Sequence, residues 1–244
     1  MVITSLENDR VKKYTKLQKR KYRDEFNQYI VEGMHLVLEA FKSGVIEEVI
    51  LLEDEVVALP VPYVYVSSEV MSKISTMDTP STIMALCNKK SNNEILGDKI
   101  LILDELQDPG NLGTIIRSAA AFNVDTIILS ENTVDLYNPK VLRATQGMFN
   151  HINIISMLAI DAINKIKDRN IPVYGTNVEY GCDVRKLDEN SKSRYALIMG
   201  NEGNGVRKEI ADMCDKNLYI DMNSNVESLN VAIATSILLY ELGR

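Results

Sequence analysis

Apolar positions in this chain switch repeatedly between strand-like and helix-like spacing, and the switches predict its layout. Residues 1–24 read as a polar, basic helix. Tyr29-Ile30-Val31 then forms a short strand-like run that ends at Glu32-Gly33. From Met34 to Lys42, Leu36, Val37, Ala40 and Phe41 recur at helical spacing; Gly44 is placed to close that helix, and Val45 to Leu52 is rich in β-branched residues. Tyr63 to Val66 predicts another strand, Ser67 or Ser68 an N-cap for the next helix, and Thr82 to Leu86 a return to the sheet. A small α/β domain over residues 1–92 is expected.

Ser91-Asn92-Asn93-Glu94 is polar and lacks apolar periodicity, which places a domain boundary there. Beyond it, Lys99 to Leu103 is a continuous apolar strand, Leu112 to Phe122 a helix and Val124 to Leu129 a further strand, together a βαβ unit. Strands are expected at 152–155, 172–176, 195–199 and 218–221, and helices at 158–169, 206–213 and 228–242. Strands this uniformly apolar imply a parallel sheet covered on both faces, in a second domain over residues 98–244.

Composition changes this picture little. The 244 residues are 45% hydrophobic and 25% charged, enough for a substantial core, and no apolar run approaches the roughly 18 residues that span a bilayer. The start lacks the layout of a secretory signal, and Cys87, Cys182 and Cys214 are widely spaced, so a reduced cytoplasmic protein without a membrane segment is expected. With only His35 and His151, neither near a second ligand, no metal site is expected.

Charge changes it more. A net charge of −7 argues against a polyanionic partner, yet Arg10, Lys12, Lys13, Lys16, Lys19, Arg20, Lys21 and Arg23 fall within fourteen residues that contain no acid, with Tyr14 and Tyr22 among them. Taken alone, that run is a solvated helix face; beside ligand-binding chemistry elsewhere in the chain, it becomes a candidate phosphate-binding surface.

Three loops carry that chemistry. The first, from Asp104 to Gly113, follows the strand at 99–103, at the carboxyl end where α/β sheets bind ligands. Asn111 is the expected N-cap, which puts Arg117 one turn into the helix. A cation so near a helix N-terminus opposes the dipole, so Arg117 is better aimed at a phosphate or carboxylate. The second loop, Gly200-Asn201-Glu202-Gly203-Asn204-Gly205, has glycines that admit close backbone approach and positive φ, in an order that fits neither a dinucleotide fingerprint nor a P-loop. The third, from Asp221 to Asn230, precedes an apolar helix, with Ser228 as the expected N-cap.

Asn111-Leu112-Gly113-Thr114-Ile115-Ile116-Arg117, Ile198 to Gly205, and Ile220-Asp221-Met222 with Glu227 to Ala232 resemble, in order, the three motifs of the SpoU (TrmH-type) branch of the SPOUT RNA methyltransferases. Residues 1–90 are similar, more loosely, to the ribosomal-protein-like substrate-binding domain often fused ahead of that catalytic domain. The resemblance implies a deep trefoil knot in the C-terminal parallel-sheet domain, an exception to the rule against threading. It further implies S-adenosylmethionine as methyl donor, a homodimer, and RNA as substrate, with ribosomal RNA favoured over tRNA. By the same resemblance Met199, Gly200, Asn201, Gly205, Ile220, Met222 and Leu229 hold the donor, while Asn111, Arg117, Glu202, Ser228 and Asn230 form the catalytic surface.

Two departures from the family pattern are conservative. Asn123 replaces the usual glycine after the first-motif helix, and Thr145 the usual serine in Pro139 to Gly147. Thr79-Pro80-Ser81-Thr82 differs from the family's Thr-Pro-Gln-Gly, which leaves the substrate open. Mechanistically, a guanidinium is a poor base, so Arg117 is expected to clamp a phosphate, with Glu202 or a water nearer the proton. Rival readings are a tRNA methyltransferase, a non-catalytic RNA-binding protein on the same scaffold, and a nucleotide-dependent oxidoreductase.

Overall fold

The structure is a computed structural model that describes residues 2–90, 95–177 and 181–243. The chain forms two compact units, Met1–Ser91 with Asp135–Asn150, and Asn92–Val134 with His151–Arg244. The expected boundary at Ser91 to Glu94 lies outside the described residues. Residues 135–150, assigned from sequence to the second domain, cluster with the first.

The first unit begins with β1 (Val2–Ile3), α1 (Asp9–Lys16), α2 (Arg20–Phe26), β2 (Gln28–Glu32), α3 (Met34–Lys42), β3 (Ile46–Leu52), β4 (Tyr63–Val66), α4 (Ser68–Ile74) and β5 (Ile83–Asn88). Its sheet runs β1-β4-β3-β5-β2 and is mixed: β5 lies antiparallel between β2 and β3, whereas β3 and β4 pair in parallel. Gly44, at φ 66°, follows α3 as expected, and Ser67 caps α4 by accepting from the Val70 amide. Val11, Tyr14 and Leu17 bury one face of α1 against Ile50, Val66, Val70 and Met84.

The single helix expected over residues 1–24 is instead a two-residue strand and two short helices. Val2 and Ile3 pair with β4, and the Asn8 side chain caps α1 by accepting from the Arg10 amide. The break after α1 is held by Arg23, whose guanidinium donates to the Leu17 and Gln18 carbonyls at 2.8 and 2.9 Å and pairs with Asp135 at 2.6 Å. These are carbonyls that the end of a helix leaves without intrahelical partners. Arg23 is only 4% exposed, which removes it from the expected phosphate-binding set.

Asp135 belongs to a segment with a helix the apolar pattern did not reveal, α5 (Pro139–Thr145), too short to show periodicity. Asn138 caps it and Pro139 occupies its first turn; the buried Thr145 hydroxyl donates to the Leu142 carbonyl. Gly147, at φ 83°, must be glycine, because a Cβ there would stand 2.6 Å from Glu39 Cβ.

The second unit contains β6 (Lys99–Leu103), α6 (Pro109–Ala121), β7 (Thr126–Leu129), β8 (Asn153–Ser156), α7 (Ala159–Lys167), β9 (Val173–Thr176), β10 (Cys182–Asp183), α8 (Glu189–Ser193), β11 (Tyr195–Met199), α9 (Lys208–Ala211), β12 (Lys216–Tyr219) and α10 (Val231–Leu242). Its seven strands are all parallel, in the order β10-β12-β9-β11-β6-β7-β8. Central β11 is buried at every position, as expected of a sheet covered on both faces. Ile100 and Ile102 pack with Ala162, Ile163 and Ile166 of α7 on one face.

Replacing Arg23 with methionine strands a part-buried carboxylate and two carbonyls. The Arg23→Met variant is expected to lose about 3 kcal/mol of stability, read by urea denaturation.

Candidate active site

The first loop starts one residue after β6 with Asp104, which is 1% exposed. Arg207, the N-cap residue of α9, answers it: its guanidinium reaches Asp104 at 2.6 Å and Glu131, just past β7, at 2.7 Å, with Glu209 at 3.3 Å and Glu105 at 3.6 Å. Glu131 also accepts from the Ala159 amide at the start of α7. This network fixes the carboxyl ends of β6 and β7 to the helix that follows the second loop. Neither Asp104 nor Arg207 was singled out from sequence; aspartate at a strand's end and arginine after a glycine loop carry no signal until the two meet.

The helix after the first loop begins earlier than expected. Asp108, not Asn111, is the N-cap, accepting from the Asn111 amide at 2.8 Å, and Pro109 takes the first helical position, where its missing N–H costs nothing. Arg117 therefore lies in the third turn of α6, where the dipole argument no longer applies. It is exposed and has no hydrogen bond or ion pair among the described residues. Asn123 takes φ 56° just past the helix, the left-handed role foreseen for it.

The second loop closes on itself. Asn201 and Gly205 exchange two backbone hydrogen bonds of 3.0 Å, and Asn201 Oδ1 accepts from the amides of Gly203 and Asn204. Asn201 Nδ2 donates to the Glu105 carbonyl at 2.9 Å. Gly205 takes φ 68°, and a Cβ on Gly200 would fall 2.0 Å from the Gly205 carbonyl carbon, so the turn needs glycine at both ends.

Glu202 projects from this loop onto the first. Its Oε1 accepts from the Asp108 amide at 2.9 Å and Asn111 Nδ2 at 3.1 Å, and its Oε2 from the Gln107 amide at 3.1 Å. Asn111 Oδ1 in turn accepts from Asn230 Nδ2 at 2.9 Å. Asn230, rather than Ser228, caps α10, accepting from the amides of Ala232 and Ile233. Asn111, Glu202 and Asn230, from three loops, thus form one chain of hydrogen bonds. Among the described residues, no hydrogen bond brings the side chain of Arg117 or Ser228 into it, and Ser228 is exposed with no hydrogen-bond partner. Farther along, Ser118 meets Ser236 at 2.8 Å and Phe122 packs edge-on against Tyr240, so one side of α6 carries the register of α10.

Burial raises the Glu202 carboxyl's pKa, but the Asp108 amide, Asn111 and the Gln107 amide outweigh it and leave the group below the usual carboxylate range. A carboxylate provided with three donors in this way accepts a proton less readily than a free one.

The segment expected to hold a methyl donor has the right chemistry. Among the described residues, the backbone amides and carbonyls of Gly200, Ile220, Met222 and Leu229 have no protein partner. The side chains of Ile220, Met222 and Leu229 are half-buried. Free backbone donors and acceptors flanked by apolar surface suit a purine ring and its ribose.

Comparison with known proteins agrees with this geometry. Residues 98–240 match the model of the SpoU rRNA methylase family, and residues 8–85 match that of the MRM3-like substrate binding domain. The chain belongs to the SpoU rRNA methylase family and is an S-adenosylmethionine-dependent RNA methyltransferase. It is 36% identical over 245 residues, 98% of each chain, to the 23S rRNA (guanosine(2553)-2′-O)-methyltransferase RlmP of Bacillus subtilis. The AdoMet-bound rRNA methyltransferase of Sinorhizobium meliloti is 32% identical, with a TM-score of 0.87 over 99% of this chain and 97% of the other. The SpoU methyltransferase AviRb of Streptomyces viridochromogenes shares the fold at 22% identity, with a TM-score of 0.88 over 98% of each chain.

Glu202 and Glu131 are depressed carboxylates of the site, and with others such as Asp24, Asp183 and Asp188 they make stability depend on pH. For Glu131, burial is again outweighed, here by backbone amides and Arg207. A carboxylate whose pKa is lower when folded stabilises the fold above its unfolded value of about 4.3, and that contribution is lost as pH falls through the folded value. Urea midpoints are therefore expected to drop below about pH 4.3, and less steeply in Glu202→Gln; parallel pH profiles would contradict this.

Proposed function

We propose that this protein methylates a ribose 2′-hydroxyl of 23S ribosomal RNA. The observation that carries this reading is the hydrogen-bonded chain Glu202–Asn111–Asn230, which joins three loops of the parallel-sheet unit. Full-length similarity to a 23S rRNA 2′-O-methyltransferase supports it.

Bound S-adenosylmethionine supplies an electrophilic methyl group on sulfonium sulfur. Met199, Gly200, Asn201, Gly205, Ile220, Met222 and Leu229 would line the donor's site, with the free backbone groups of Gly200, Ile220, Met222 and Leu229 available to hold it, and Glu202 positions Asn111 rather than accepting a proton. Arg117, exposed and uncommitted, clamps the phosphate beside the reacting ribose, with Ser228 and Asn230 lining the same surface. Catalysis of an in-line displacement then rests chiefly on placing the 2′-oxygen about 3 Å from the methyl carbon.

The first unit binds the RNA through the exposed members of its basic run. Family membership supports a trefoil knot in the second unit, a cytoplasmic setting and a homodimer whose partner completes the RNA site; exposed Ile233 and Tyr240 on α10 support the pairing.

Tritiated methyl donor incubated with separated unmethylated ribosomal and transfer RNAs is expected to label 23S RNA at one ribose that becomes resistant to alkaline cleavage. Label confined to transfer RNA, or to a base, would refute the reading. Arg117→Ala is expected to lower turnover by about 100-fold while leaving the melting temperature unchanged, since the exposed side chain has no hydrogen bond or ion pair among the described residues.

A further inference from the structure

The cations between Arg10 and Arg23 are sorted by the fold. Arg23 is buried, Arg10 pairs with Glu48, Lys12 with Glu7, and Arg20 with Asp24. Lys13, Lys16, Lys19 and Lys21 have no acidic partner among the described residues. Three of these four stand over aromatic rings: Lys13 is 5.6 Å from the centroid of Phe26, and Lys16 and Lys21 are 5.4 and 5.7 Å from that of Tyr22. The two rings, one turn apart on α2, stack at 6.3 Å with planes 18° apart and remain half-buried.

Tyr22 is half-buried, stacked on Phe26, with the ammonium groups of Lys16 and Lys21 over its ring. A cation over an exposed ring is held more weakly than a nucleobase stacked on it. An arriving base would displace the ammoniums sideways, towards the phosphates that flank it. Duplex RNA offers no free base face, whereas loops and unpaired segments do.

We propose that the corner between α1 and α2 is a platform for single-stranded RNA, on which Tyr22 stacks one unpaired base and Lys13, Lys16, Lys19 and Lys21 neutralise the adjoining phosphates. This rests on the reading of the chain as an RNA methyltransferase and adds which feature of the RNA the first unit engages.

The test uses the full chain with two probes, fluorescein-labelled twelve-nucleotide oligouridine and a twelve-base-pair RNA duplex. Tyr22→Ala is expected to bind oligouridine on the order of tenfold more weakly with the salt dependence unchanged, and Tyr22→Phe to bind as wild type. Lys16→Ala is expected to reduce the slope of log affinity against log salt by about 0.7. The chain has no tryptophan, so Tyr22→Trp introduces a single fluorophore, expected to be quenched by oligouridine and not by duplex. Absence of that quenching, oligouridine binding by Tyr22→Ala equal to wild type, or an equal loss towards duplex would overturn the proposal. If Tyr22→Ala does not fold, the Tyr22→Trp quenching decides alone. Failure of the wild-type chain to methylate 23S RNA would remove the proposed function and leave these readouts intact.

Discussion

The carboxylate of Glu202 is where the second unit's separate loops become one site. Parallel strands deliver their loops to the same sheet end, but nothing in strand pairing fixes how those loops lie against one another. Glu202 does so by accepting two backbone amides of the first loop and the Asn111 amide group, and Asn111 passes the constraint to Asn230 at the head of α10. Beneath this junction, Arg207 gathers carboxylates from the ends of β6 and β7 around a single guanidinium. One arrangement is charge neutralisation close to the sheet, the other a hydrogen-bonded chain nearer solvent. Together they set the second loop between fixed points, which glycine at Gly200 and Gly205 lets it reach without strain.

That junction also divides labour among the polar residues. Glu202 and Asn111 are committed to holding geometry, with their hydrogen-bonding groups engaged inside the protein. The Arg117 side chain has no such commitment among the described residues, which is what the proposed phosphate contact requires. A catalytic surface for displacement chemistry needs that division, because placement supplies most of the rate and the groups that place must not themselves be mobile.

The first unit shows the same economy with charge. A net charge of −7 conceals a local cationic surface, and the fold refines it further by burying one arginine as a helix terminator and pairing three other cations with acids. Among the described residues, four lysines of the original eight basic residues have no acidic partner, and three of them collect around two aromatic rings.

Much of the framework was legible because periodicity reports burial directly. The helix Met34–Lys42 and the strands Tyr63–Val66, Lys99–Leu103 and Tyr195–Met199 lie where the apolar pattern places them. The three loops were legible too, since glycines, asparagines and a lone acid between an apolar strand and a helix have few local explanations. Helix starts were not: Asp108 displaced Asn111 as a cap, and Asn230 displaced Ser228, because several residues in each loop suit a cap and tertiary contacts choose among them. The break between α1 and α2, the burial of Arg23 by Asp135 and the union of Asp104 with Arg207 depend on partners about 100 residues away. Sequence by itself determined which segments are buried and which loops carry chemistry, because those follow from local pattern. Only the tertiary structure decided which polar groups hold the site and which are left for a ligand, since a side chain's availability depends on the neighbours the fold brings to it.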